Sequence, residues 1–238
     1  MDFGKSFTYV FEDKDWVKKV AIGGVVTLVP ILNFVGVGYS LRTLKRVSEG
    51  DPQPLPEWDD WGGDFVRGLM ASFVAPLIYS VPAIALAILY GIVVAIASSG
   101  GSSDGFMALC STALTCLTTL WSILVAVWLP AGLIRYATEG EFGAFFRFAE
   151  LWSFIRENLS NYIVAILLII VAALVASIAG SILCGIGIIF TTFWAMLVAA
   201  HLLGQVKAEA TPSSTAPMGP GEINLNTVDL AGEDNPAQ

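Results

Sequence analysis

The sequence predicts an all-α, polytopic helical membrane protein of about six membrane segments arranged as three helical hairpins, with interfacial helices and a disordered tail. Three observations carry that expectation. Hydrophobic residues make up 55% of the 238 and charged residues only 13%, far below the roughly 25% charge of soluble domains. Residues 68–103, 105–134 and 158–200 contain no charged residue, and each is longer than the ~20 apolar residues that cross a bilayer. All twelve Lys and Arg residues fall in four clusters: Lys5–Lys19, Arg42–Arg67, Arg135–Arg156 and Lys207.

The first stretch, MDFGKSFTYVFEDKDW, places four acids before the first apolar run and lacks a small-residue cleavage site. It is therefore expected to be retained rather than removed as a signal peptide. Residues 20–41 form an uncharged run with basic residues at both ends. Short loops rich in Lys and Arg stay cytosolic, and a single crossing here would divide the cations four to eight. A hairpin bent at Pro30-Ile-Leu-Asn33 holds all twelve on one side. Proline supplies no N–H and Asn33 is placed to satisfy a freed backbone group; one long proline-kinked helix is the alternative. The breaks SSGGSSDG (98–105) and GSILCGIG (180–187) contain no cation and belong on the other side.

The hairpins then span about 17–48, 68–134 and 158–206, within a membrane domain of residues 1–207. Both termini are expected to be cytosolic, in the cell membrane. Pro76, Pro82 and Pro130 mark expected kinks. Residues 208–238 carry five acids and no cation among many Pro, Ser and Thr, the composition of a disordered acidic tail.

Each outward helix is preceded by similar wording: DKDW, WDDW and AELW, ending at Trp16, Trp61 and Trp152. Tryptophan prefers the headgroup level, so these three are read as interfacial anchors. Glu49-Gly50 recurs as Glu139-Gly140, and Phe65-Val66-Arg67 as Phe154-Ile155-Arg156, which suggests an internal repeat with both copies on one side. Residues 141–158 show helical spacing of apolar side chains suited to a helix lying in the interface, and Thr138-Glu-Gly-Glu141 has the form of a capping box for its start.

The search for chemistry finds no nucleotide loop, metalloprotease helix or nucleophile elbow. One histidine and three scattered cysteines offer no metal-ligand spacing; Cys110, Cys116 and Cys184 are read as packing residues, with a Cys110–Cys184 bridge as the alternative. No catalytic residue, cofactor or metal site is expected. Gly23, Gly24, Gly36 and Gly38 are read as helix contacts. The candidate functional residues are Asn33 at the hairpin tip, Asp60 and Arg67 in and after EWDDW, and Arg156 in the second copy. Thr115 and Thr118 belong to a hydroxyl stripe with Ser111 and Ser122, and His201 is the lone histidine in the last apolar run. The alternative for Glu57, Asp59, Asp60 and Asp64 is an acidic cation or partner site.

The opening MDFGKSFTYVFEDKDW, the P-x-x-N tip followed by GYSLRTLKRVSEGD, then LPEWDDWGGDFVRGL and FWAMLVAAHLLGQ together resemble a family of uncharacterised bacterial and archaeal multi-pass membrane proteins, known as a domain of unknown function. The resemblance covers residues 1 to about 207, with LPEWDDW as its most specific motif. It implies an integral membrane protein and no reaction. A more distant resemblance, in the return helix ending in a basic residue and Glu-Gly, is to membrane domains attached to glycerophosphodiester phosphodiesterases, which implies lipids.

The expected role is a non-enzymatic scaffold or accessory membrane component whose partners are membrane lipids and other membrane proteins, with no nucleic acid. The alternatives are a carrier or channel for a neutral or lipid-like solute that uses the hydroxyl stripe, and an intramembrane enzyme that uses His201.

Overall fold

The computed structural model describes residues 1–99, 104–182 and 186–210. Every regular element among them is helical. A short helix α1 (Phe3–Glu12) leads into α2 (Trp16–Leu28) and α3 (Asn33–Ser48). The bend between α2 and α3 closes where the Asn33 backbone N–H reaches the Val29 carbonyl at 2.8 Å. The Thr27 methyl lies 2.9 Å from where a Cβ on Gly36 would stand, so the two arms run back along each other as a hairpin.

The expected six segments are not matched. Among the described residues four helices are long and apolar enough to cross a membrane: Trp61–Ala97, Met107–Glu139, Leu159–Ile182 and Gly187–Ala210. The arms of the first hairpin hold 13 and 16 residues. At 1.5 Å per residue they rise roughly 20 and 24 Å, short of a ~30 Å hydrocarbon core.

The first long span is built from α4 (Trp61–Leu69), a π-helical turn (Met70–Val74) and α5 (Ala75–Ser99). The wide turn immediately precedes Pro76, where a regular helix would press the proline ring against the carbonyl of Ser72 and lose that hydrogen bond. Helix α5 continues through Pro82, and α6 (Asp104–Glu139) continues through Pro130.

Helix α6 ends at Glu139 because Gly140 takes a left-handed conformation, φ 76°, and donates to the Tyr136 carbonyl at 2.9 Å. Gly50 ends α3 in the same way, with φ 78°. There the Gly50 N–H reaches Val47 and the Asp51 N–H reaches Arg46, the paired bonds of a Schellman terminus. The two Glu-Gly pairs of the sequence are thus two helix stops, and the expected capping box at Thr138 does not form. The Thr138 hydroxyl bonds back to Ile134 inside α6, because the chain there is finishing one helix rather than starting another.

After a 3₁₀ turn (Phe142–Phe146), α7 (Phe148–Glu157) runs as the expected amphipathic helix, burying Leu151 and Ile155 and exposing Trp152. Helices α8 (Leu159–Ile182) and α9 (Ile186–Ala210) complete the chain that is described. Helix α9 runs three residues beyond the expected boundary at 207. Cys184 and residues 211–238, with their proposed bridge and disordered tail, lie outside the described residues. Cys110 is half-buried and Cys116 exposed, both as free thiols.

The core is organised around α9. Phe193, Leu197, Val198, Leu202 and Val206 are fully buried. The Phe193 and Phe190 rings fill the spaces where side chains on Gly23 and Gly24 would stand, so those glycines admit α9 against α2. Gly204 backs onto Val47 and the Leu44 carbonyl of α3. Gly38 and Gly68 let α3 and α4 meet backbone to backbone: a Cβ on Gly38 would overlap the Asp64 carbonyl, and one on Gly68 the Phe34 carbonyl.

Candidate functional site: a charge-matched strap

The segment DPQPLPEWDD, residues 51–60, is a non-helical strap between α3 and α4. Proline at 52, 54 and 56 removes backbone donors and favours extended geometry, so the strap must be held by other groups. Tyr39 donates its hydroxyl to the Pro56 carbonyl at 2.7 Å and stacks its ring on Trp58 at 4.1 Å. Trp58 donates its indole N–H to the Lys19 carbonyl at 3.2 Å. Leu55 is buried in the cluster formed by Tyr9, Tyr39 and Phe193.

Each carboxylate of EWDDW and its neighbour meets a cation. Glu57 pairs with Lys19 at 2.8 Å, and the same ammonium pairs with Asp13 at 2.9 Å. Arg42 Nη1 donates to Asp59 at 2.7 Å, while its Nη2 donates to Asp64 at 2.7 Å and to the Glu57 carbonyl at 2.8 Å. Arg67 donates to Asp60 and to the second oxygen of Asp64, both at 2.6 Å. Asp64 is fully buried, and its two oxygens are divided between two guanidiniums. Asp60 also caps α4 by accepting the Gly63 N–H at 3.0 Å. The Arg42 guanidinium holds the Asp59 carboxyl below its ordinary range, and Arg67 does the same to Asp60. The acids of the motif are therefore committed to side-chain cations, which is the arrangement expected of a fastening rather than of open metal ligands.

A second ionic group ties α6 to α7. Arg135 pairs with Glu139 and Glu150, and Arg147 reaches Glu139 at 3.1 Å and Glu141 at 2.6 Å. Arg156 is exposed and lies beside exposed Trp152 on α7; among the described residues it makes no ion pair.

The remaining candidates are separate. Among the described residues the Asn33 amide makes no side-chain hydrogen bond, and the residue acts at the bend through its backbone. Thr115 and Thr118 return their hydroxyls to Ser111 and Leu114 in the preceding turn, and Ser111 and Ser122 do likewise. His201 is buried between α9 and α1: its Nδ1 lies 2.9 Å from the Ser6 hydroxyl and 3.2 Å from the Gln205 amide, and its ring stacks on Tyr9 at 4.2 Å. Tyr9 in turn donates to the Leu197 carbonyl at 2.8 Å. Histidine here fastens a helix, with Ser6 itself fully buried.

Sequence reasoning located Asp60 and Arg67 but missed Lys19, Tyr39 and Arg42. The available signal was charge balance: residues 42–67 hold four cations and a comparable set of acids, with one acid inside an otherwise apolar helical start.

No curated protein and no solved structure matches the chain. One family model does, over residues 22–185, which takes in the α2–α3 hairpin, the strap and the first three long spans up to the start of α9. The chain belongs to that family, described as "Protein of unknown function (DUF4013)".

Proposed function

We propose that the chain is a non-enzymatic component of the cell membrane, a scaffold or accessory subunit that packs against other membrane proteins and lipids. The observation that carries this reading is the contrast among its long helices. Half of the most apolar stretch of Gly187–Ala210 is buried against protein, but only 6% of that of Trp61–Ala97 and 17% of that of Met107–Glu139. Ile84, Ile88, Ile92 and Ile96 of α5 and Leu109, Leu117 and Leu120 of α6 are exposed. A consolidated base of α2, α3, α4 and α9 carries a long α5–α6 hairpin that is free to meet other membrane components.

In this reading the strap and the ionic groups lie at the cytosolic headgroup level, with both termini cytosolic. The α2–α3 hairpin enters the membrane without crossing it. Two parallel repeats, marked by the Glu-Gly helix stops and the Phe-Val/Ile-Arg triplets, lie on that same side. The hydroxyls expected to line a solute path bond locally to their own helix, so a carrier is less well supported. The test is chemical crosslinking in native membranes followed by co-purification in mild detergent. Other membrane proteins should be recovered with the chain, and recovery of the chain strictly alone overturns the reading.

A further inference from the structure

Where α3, α4 and the end of α6 converge, a cavity of about 250 Å³ is lined by Arg42, Lys45, Arg67, Tyr136, Ala137 and Gly140. Three cations line it and no acidic side chain does. The two arginines are fixed by the carboxylates on their terminal nitrogens, which leaves Lys45 the least committed of the three cations. The Arg67 side chain is 38% exposed. Among the described residues Lys45 is matched only by Glu49 at 4.0 Å, too long for a hydrogen bond. Leu41, Tyr136 and Ala137 add apolar wall. Gly140, with nothing within 4 Å of its Cβ position, leaves the rim open.

We propose that this cavity binds the phosphate of an anionic lipid headgroup. An oxyanion there takes up the Lys45 charge beside the two guanidiniums, and charge-assisted bonds of this kind are the stronger ones. The apolar wall suits the glycerol end of the lipid. The helix ends at Ser48 and Glu139 present carbonyls and disfavour an anion, so binding depends on the side-chain cations and on Lys45 above all. The lipid source rests on the placement of this end at the membrane surface; the anion site itself does not.

The test follows the melting temperature of the full chain in detergent during titration with short-chain phosphatidylglycerol, phosphatidylcholine or inorganic phosphate. Phosphatidylglycerol should raise it saturably and phosphatidylcholine much less, as expected when a ligand binds only the folded state. Lys45→Gln removes the least constrained cation, and Ala137→Leu fills the cavity while keeping every charge. Lys45→Gln should weaken the response about tenfold, the loss expected for one charged hydrogen bond, and Ala137→Leu should weaken it by excluding the ligand. Lys18→Gln, an exposed cation elsewhere, should leave it unchanged. An equal response to inorganic phosphate identifies a free-phosphate site and removes the lipid assignment. No response to any anion, or equal responses in all variants, overturns the site; co-purification of partners reads the scaffold proposal separately.

Discussion

Asp64 shows how a buried charge is tolerated at the edge of a membrane helix. Burying an ionised carboxylate alone is costly, but both of its oxygens receive a guanidinium. Asp64→Ala leaves Arg42 and Arg67 facing each other without it, and loss of one partner of a buried ion pair costs about 3–5 kcal/mol. The variant should melt far below the parent in detergent; an unchanged melting temperature would show that the strap does not depend on Asp64. Asp59 and Asp60 act at the surface and through pH. Their carboxyls are held below the ordinary range by Arg42 and Arg67. The stability they contribute is therefore present above the unfolded-state pKa near ~3.9 and lost as pH falls through the lowered folded-state values. Thermal melts should show no contribution from these pairs to any change between about pH 7 and 5, then a decline in acid that is smaller in Asp59→Asn. Tryptophans and acids of EWDDW were legible as a motif, but their partners were not. Lys19, Tyr39 and Arg42 sit 15 to 39 residues from the groups they bind, and no local period links them.

Among elements, legibility followed hydrophobic length. The three charge-poor stretches and the bent first hairpin were readable because each depends on local apolar runs and charge placement. Whether α2 and α3 cross was not readable from hydropathy alone, since their length is set by where Val29 and Gly50 end them. The capping-box reading at Thr138 failed because Glu-Gly at a helix end serves as a stop when glycine turns left-handed. Small residues acquired their meaning from the partner helix. Gly38→Ala should disrupt the α3–α4 contact, because the new Cβ would lie 1.9 Å from the Asp64 carbonyl. Gly91→Ala, with nothing within 4 Å, should be neutral or stabilising by up to about 1 kcal/mol through helix propensity. Yield of folded, monodisperse protein from membranes separates the two; equal yields would mean that α3 and α4 are less closely apposed.

For the whole molecule, the ion pairs form two separate groups. Arg42, Arg67 and Lys19 fasten the strap, and Arg135 and Lys207 line a common cavity with Glu150. A reporter placed at Arg46 or at Glu141 should be protected in intact cells and reactive in permeabilised ones. Labelling of either from outside would break the one-sided arrangement of cations. That expectation rests on twelve cations falling in only four clusters. The docking of α1 was not, because Ser6 and Tyr9 find their partners only after 195 and 188 further residues.

Such a separation sets an order of biogenesis. A ribosome elongating at roughly 5–20 residues per second takes about 10–40 s to pass from Ser6 to His201. Throughout that interval the nascent α1 and the glycine faces of α2 lack their neighbours on α9. Chaperones or the insertion machinery must shelter them until the last helix emerges to complete the base.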